Sequence, residues 1–322
     1  MSSRVLAARP GVTAAPAPPA GAARRERRAR WARRAPLLPA LIFLIVVTQL
    51  PFVATLVISF MRWNALEPKN TGFTGFTNYR EVFTDPALRG SVIATIILTV
   101  SVVLVSVAIG LGIALLLNRA FVGRAFVRTI MIAPFLIVPV AAALLFKQGI
   151  YNPSYGLLNG TITGITHLFG AHSPPQPAWI TAQPKIMVEA ALIWQWTPFM
   201  MLILLAGLQS RDGEVMEAAL VDGASPWQMF RFVTFPHLRR YLELGVLFGT
   251  IFILQNFDFV FTITSGGLGT ANLPYTIYQT FFSAHDYGLA SAQGVVVVIA
   301  SLIVATFALR VVSSLLREEV SR

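Results

Sequence analysis

The 322-residue chain has no cysteine, which excludes disulfide staples, thiolate metal sites and thiol nucleophiles and leaves the redox compartment unmarked. Acidic residues are scarce: 14 Asp and Glu face 25 Lys and Arg, and only 12% of the chain is charged. No Gly-Lys dipeptide occurs, so a G-x-x-x-x-G-K-S/T phosphate loop is ruled out. The four histidines, His167, His172, His237 and His285, show neither His-x-x-x-His nor Glu-x-x-His spacing, and no G-x-S-x-G marks a nucleophile elbow. A metal site and a hydrolase site therefore have no support in the sequence. The net charge of +11 and the pI near 10.8 fit a nucleic-acid binder in magnitude. The cations, however, gather in an N-terminal tail and in short segments beside apolar runs, which is the pattern of membrane orientation rather than of a nucleic-acid groove.

Apolar residues dominate what is present. They make up 55% of the chain, and the mean hydropathy is +0.67, beyond an ordinary soluble domain. Residues 1–35, rich in Ala, Pro and Arg, read as a disordered basic tail. Residues 36–322 read as an all-α polytopic domain of six membrane helices. The first runs from Leu37 to Phe60, and the others cover about 92–117, 126–146, 187–208, 242–263 and 290–312, each near the ~20 residues a crossing needs. The first is expected to be retained, because no small-residue cleavage site follows it. With the tail inside, the outer segments keep only Arg62, Lys69, Arg80, Arg89, Lys147 and Lys185, so both termini are expected in the cytoplasm. The outer segment 147–186 has no acidic residue and no apolar period, and is expected to be a functional or disordered loop. The segment 264–289 opens on Ser265-Gly-Gly-Leu-Gly269 and is a candidate for re-entry at the membrane mouth.

The most informative stretch is polar and lies between two apolar runs. Glu217 to Pro236 reads EAALVDGASPWQMFRFVTFP, inside a loop of about 209–241 that topology places in the cytoplasm. Good helix formers run from Glu214 to Val221, with Asp222 next, and Gly223 supplies a stop by tolerating positive φ. Ser225 then fits an N-cap with Pro226 at the first helical position, so a second short helix is expected to run toward Phe232. Ala218 and Ala219 leave room for close approach, and Trp227, Met229 and Phe230 are apolar anchors suited to an interface.

Polar residues inside the apolar runs are the other candidates, since such groups face a bundle interior or a wet cavity. Gln255, Asn256 and Asp258 lie in the fifth run, where helical spacing puts Gln255, Asp258 and Thr262 on one stripe suited to a polyhydroxylated solute. In the fourth run Trp194, Gln195 and Trp196 combine ring faces for sugar C–H surfaces with an amide for hydroxyls. Packing and an interfacial aromatic belt account for the tryptophans equally well, and Asp258 equally suits pairing with a partner subunit.

Glu217-Ala-Ala, three residues, Gly223, nine residues and Val233-Thr-Phe-Pro236 together resemble the EAA signature of the integral membrane subunits of binding-protein-dependent ABC importers. Phe257-Asp258-Phe-Val-Phe with Thr264-Ser-Gly-Gly is similar to the carbohydrate permeases of that family, although Leu268 stands where a proline typically follows the glycines. Leu38-Pro39-Ala, Asn78-Tyr79, Arg128 to Pro134, Trp196 to Gln209 and Gly288-Leu-Ala-Ser-Ala292 look like the maltose and glycerol-phosphate type. The resemblance implies a type I importer permease in a bacterial cytoplasmic membrane, with the coupling role carried by Glu214, Glu217, Ala218, Ala219, Asp222, Gly223 and Trp227. It implies a pathway touching Trp194, Gln195, Gln255, Asn256 and Asp258. It further implies a second, homologous permease subunit, a pair of ATPase subunits that use ATP and Mg, an extracellular solute-binding protein and the surrounding lipid, with no cofactor on this chain. Two other readings stay open: an ion-gradient-driven secondary transporter, and a membrane assembly protein without transport.

Overall fold

A computed structural model describes residues 35–170 and 175–320, with the backbone alone for Ala35, 304, 305 and 307–320. The basic tail, Pro174 and Arg322 lie outside the described residues. By internal contact the chain divides into Met1–Ala54 and Thr55–Arg322. The first unit contributes most of helix α1, Leu38–Ile58, 21 residues without a charge and long enough to cross a membrane.

In the second unit a short hairpin, β1 Met61–Arg62 and β2 Gly72–Phe73, leads to α2, Thr77–Thr84. This short helix carries the Asn78-Tyr79 motif and stands just ahead of the second span. Asp85 then starts α3, Pro86–Asn118: its carboxylate accepts from the Ala87 and Leu88 amides, and Pro86 takes the first helical position, where its missing N–H is no loss. At 33 residues α3 is about 50 Å long. Its main partner is α8, Pro184–Gln209. Gly110 permits the approach, since a Cβ there would stand 2.9 Å from both Met200 Cβ and the Met201 amide. Helix α11, Phe235–Leu254, closes the group by receiving the Met200 side chain over Gly245 and Gly249. Two apolar clusters result. One gathers Leu98, Val102, Val188, Leu192, Phe259 and Val260, and the other Ala114, Leu117, Leu204, Leu208 and Leu238.

Two of the expected spans are broken rather than continuous. Helix α4, Arg124–Leu136, ends where Ile137 and Val138 turn extended ahead of Pro139, because a residue before proline is pushed out of the helical region. Helix α5, Pro139–Leu144, and a π-helical turn, Leu145–Ile150, leave at 96° to α4. The fifth run breaks at Gln255–Phe257, and α12, Asp258–Thr264, restarts at 50° to the helix before it. The stripe of Gln255, Asp258 and Thr262 on one helix therefore does not form. Among the described residues, three helices are long and apolar enough to cross a membrane alone, and up to five if each bent pair is one span; α14, Tyr287–Val320, is apolar over Tyr287–Ile303.

The described residues of segment 147–186 include helices where the sequence shows no apolar period. They hold α6, Leu157–Leu168, and α7, Trp179–Ala182, pinned together by Asn159, which donates to the Pro153 and Pro177 carbonyls and accepts from Trp179 Nε1 at 2.7 Å. The segment after α12 turns on Ser265, Gly266, Leu268 and Gly269, all at positive φ. It then re-enters the unit as α13, Leu273–Tyr278, whose first amide donates to buried Thr95 on α3. Asn78 and Gly288, from two separate family-like motifs, meet here in one joint: Asn78 Nδ2 donates to the Ser59 and Met61 carbonyls, and only a glycine at 288 fits against Met61 O.

Candidate functional site

The stretch Gly213–Pro236 forms the expected helix, turn and helix. Helix α9, Gly213–Val221, starts at Asp212, whose carboxylate accepts from the Glu214 amide at 3.0 Å. It stops at Gly223 with φ +80°, a value that glycine adopts without strain. Ser225 caps α10, Pro226–Met229, in a reciprocal box with Gln228: the Gln228 amide donates to Ser225 Oγ, and the Ser225 amide to Gln228 Oε1 at 2.8 Å. The second helix is longer than expected. It passes through a π-helical turn, Phe230–Thr234, directly into α11, so the loop and the fifth run are one mechanical piece.

Most of its surface faces outward. Glu214, Glu217, Ala218 and Asp222 are exposed, Ala219 is half-buried, and α9 buries no residue at all. Trp227 is 70% and Val221 86% exposed, and the Trp227 ring stacks on Phe230 at 5.9 Å. A hollow of about 270 Å³ opens between the turn and the second helix, lined by Asp222, Gly223, Gln228, Met229 and Phe232. An exposed tryptophan on an element that also exposes Glu214, Glu217 and Asp222 fits the anchor-and-rim makeup of protein interfaces.

The root of this element is tied down by residues that the sequence reading passed over. Helix α8 ends with unpaired carbonyls, as every helix does. Arg211 Nε donates to Leu208 O at 3.0 Å, and Arg211 Nη1 to Thr234 Oγ1 at 2.7 Å. His237 Nε2 stands 3.1 Å from Gly207 O and from Ser210 Oγ, and Ser210 Oγ is 2.6 Å from the Tyr241 hydroxyl. Burial draws the Arg211 pKa below its ordinary value. The available signal was a cation one turn past a long apolar helix, the usual C-terminal cap chemistry.

The polar candidates of the apolar runs do not converge on one cavity. Gln195 is 4% exposed, and its Nε2 donates at 3.0 Å to Ile137 O, the carbonyl at the α4–α5 break. Trp194 packs on Phe146 and lines a cleft of about 700 Å³ between α3, α4 and α8, among Ile109, Met131, Pro134 and Met201. That cleft is almost wholly apolar. Gln255, Asn256 and Asp258 sit away from its lining, at the α11–α12 break: Gln255 is exposed, and Asp258 is half-buried at the start of α12. Asn256 O accepts from Asn272 Nδ2, while Asn256 Oδ1 is buried without a partner. Asn272 also caps α13 through the Tyr275 amide, so one side chain joins the break to the re-entrant helix. Around it Phe257, Phe261, Tyr275 and Tyr278 form a ring cluster with centroids 5.0–6.4 Å apart.

Known proteins are similar to this chain in sequence and in fold. The trehalose transport system permease protein SugA of Mycobacterium tuberculosis is 30% identical over 260 residues, 80% of this chain and 81% of that protein. The trehalose/maltose transport system permease protein MalF of Thermococcus litoralis is 33% identical over 246 residues, 76% and 80% of the two chains. In fold, the chain matches a crystal structure of a bacterial ABC transporter involved in import of the acidic polysaccharide alginate, with a TM-score of 0.77 over 91% of this chain and 98% of that one, at 21% identity. The family model described as the binding-protein-dependent transport system inner membrane component matches residues 91–318. The chain belongs to that family of ABC importer permeases.

Proposed function

We propose that this chain is one permease subunit of an ATP-driven importer for a neutral carbohydrate of disaccharide or polyol size, and that it receives the energy of a separate ATPase through the exposed element Gly213–Thr234. The observation that carries the reading is that element itself: a capped helix, a glycine turn and a second helix rooted in α11, with Trp227, Glu214, Glu217 and Asp222 presented outward beside a hollow. Without a phosphate loop the chain has no means of hydrolysing ATP by that route, so a partner must supply ATP and Mg chemistry. Ala218 and Ala219 keep the helix narrow enough to enter a cleft. Gly223 sets the angle between the two helices.

Six spans with both termini inside place this element and the bulk of the cations on the cytoplasmic side, in accord with the positive-inside rule. A second homologous subunit completes the pathway, and an extracellular solute-binding protein delivers the solute. The sugar assignment draws on the trehalose and maltose permeases among the relatives and on the chemistry of the α11–α12 break, where Gln255, Asn256 and Asp258 lie next to an aromatic cluster. Trp194 contributes a ring face on the cleft side, and Gln195 shapes the pathway by holding the α4–α5 break.

Gly223→Pro tests the coupling role. Proline fixes φ near −65° where the turn needs +80°, so the two helices lose their relative angle. The variant complex is expected to insert and assemble while solute uptake and solute-stimulated ATP hydrolysis disappear. Uptake and stimulation at wild-type levels would overturn the assignment.

A further inference from the structure

The tip of the coupling element and its root differ in kind. The tip, α9 and the Gly223 turn, buries nothing. The root is fixed where α8 and α11 come closest, and Gly207 shows how close: a Cβ there would stand 2.6 Å from Tyr241 Cδ2 and 2.9 Å from Leu238 Cδ2. A force applied to the tip reaches the spans only through the few bonds between it and this contact. Covalently it has two exits, back through Arg211–Asp212 into α8 and forward through Phe230–Thr234 into α11.

One side chain spans both exits. The Arg211 guanidinium donates through Nε to Leu208 O on the last turn of α8 and through Nη1 to the hydroxyl of Thr234, the last residue of the π-helical turn. Its Nη1 also lies 3.6 Å from Met216 Sδ on α9. Thr234 is buried, and a charged donor to a buried hydroxyl is a strong and directional bond. The π-helical turn is the compliant part of the second helix, since its hydrogen bonds follow a wider pattern than the helices on either side. Bonding its last residue to the end of α8 stops that compliance from absorbing the movement.

We propose that Arg211 and Thr234 are positioning residues for energy coupling. They lock the two exits of the exposed element together, so that displacement of α9 moves α8 and α11 as one body rather than bending the π-helical turn. His237, Ser210 and Tyr241 add a second tie between the same helices one turn further in. The inference rests on the coupling role proposed above for Gly213–Thr234.

The test uses the full complex, purified with its ATPase and partner permease and reconstituted in proteoliposomes. It measures radiolabelled trehalose or maltose accumulated per ATP hydrolysed, using whichever sugar the wild-type complex takes up. Thr234→Val keeps the shape and removes the hydroxyl, whereas Thr234→Ser keeps the hydroxyl. The valine variant is expected to hydrolyse ATP but to lose about tenfold or more in sugar moved per ATP, the lower end of the effect that one bond to a charged group sets. The serine variant should stay within about twofold of wild type by the same measure, because the bond survives. If Thr234→Val fails to assemble, Arg211→Gln carries the measurement in its place with the same expected loss. A wild-type ratio in the assembled valine or glutamine variant, even with lowered thermal stability, would overturn the linkage while leaving the docking role of the tip intact. Uptake and solute-stimulated ATP hydrolysis at wild-type levels in Gly223→Pro would overturn that docking role itself, and the two failures are thereby distinct.

Discussion

Replacing Gln195 by leucine separates two roles that the sequence left together. Read along the chain, a glutamine between two tryptophans inside an apolar run is a solute ligand. In the fold the residue is 4% exposed and its amide holds Ile137 O at 3.0 Å, a carbonyl left outside both helical ladders because Ile137 is extended between α4 and α5. Leucine has nearly the same volume and no donor, so Gln195→Leu orphans that carbonyl inside the protein. An unsatisfied buried acceptor costs about 1–3 kcal/mol in water-soluble proteins, whereas interhelical bonds measured in membranes average only ~0.6 kcal/mol. At a helix break, where the extended Ile137 offers its carbonyl to no helical amide, the loss should approach the upper membrane value, about 1.5 kcal/mol. At ~2.1 cal/mol/K per residue, a chain of 322 residues shifts by about 1.5 °C per kcal/mol, so the melting temperature should fall by about 2 °C. Thermal unfolding of the purified complex in detergent reads the shift, and uptake kinetics read the solute. The expected result is a lowered melting temperature with an unchanged KM. An unchanged melting temperature with a raised KM would refute the reasoning and return Gln195 to the solute.

The helix, turn and helix of Gly213–Pro236 were legible in the sequence because their determinants are local. Helix formers, Gly223, Ser225 and Pro226 each act on their immediate neighbours, and the observed caps and the positive φ follow from those residues alone. The two helix breaks were harder for opposite reasons. Pro139 announces the first, yet apolarity continues through it, and a hydropathy window averages over a bend of 96°. Gln255-Asn-Phe announces nothing. That break is held by Asn272, sixteen residues later, whose amide reaches the Asn256 carbonyl, and a contact of that kind leaves no periodic trace. The same holds for Arg211 and Thr234, which are 23 residues apart and meet only because Gly207 lets α11 lie against α8. Asn78 and Gly288 were noticed as motifs, but their common purpose, sealing one joint at Met61, appears only when the chain is folded.

Two further outcomes follow from local geometry. Gly207→Ala places a methyl group against the Tyr241 ring, and overpacking of that kind costs about 1–3 kcal/mol. Thermal unfolding should show the loss, and Tyr241→Leu in the same chain should recover part of it. Glu81, on α2, has its pKa raised first by desolvation and then by the charges of Asp286 and Asp85, against a smaller lowering by Arg62. A carboxyl whose folded pKa is raised binds its proton more tightly in the native state, so its contribution to stability is present in full below the unfolded pKa. That contribution is lost as pH rises through the folded pKa. Above that range wild type carries an ionised Glu81 facing two other acids, and Glu81→Gln does not. The melting temperature of Glu81→Gln should therefore exceed that of wild type at pH 7 and converge on it as the pH falls below the folded pKa. Because Glu81 is exposed, solvent screening keeps the difference small. A difference that grows as the pH falls would mean that Arg62, rather than Asp286 and Asp85, sets the state of this carboxyl.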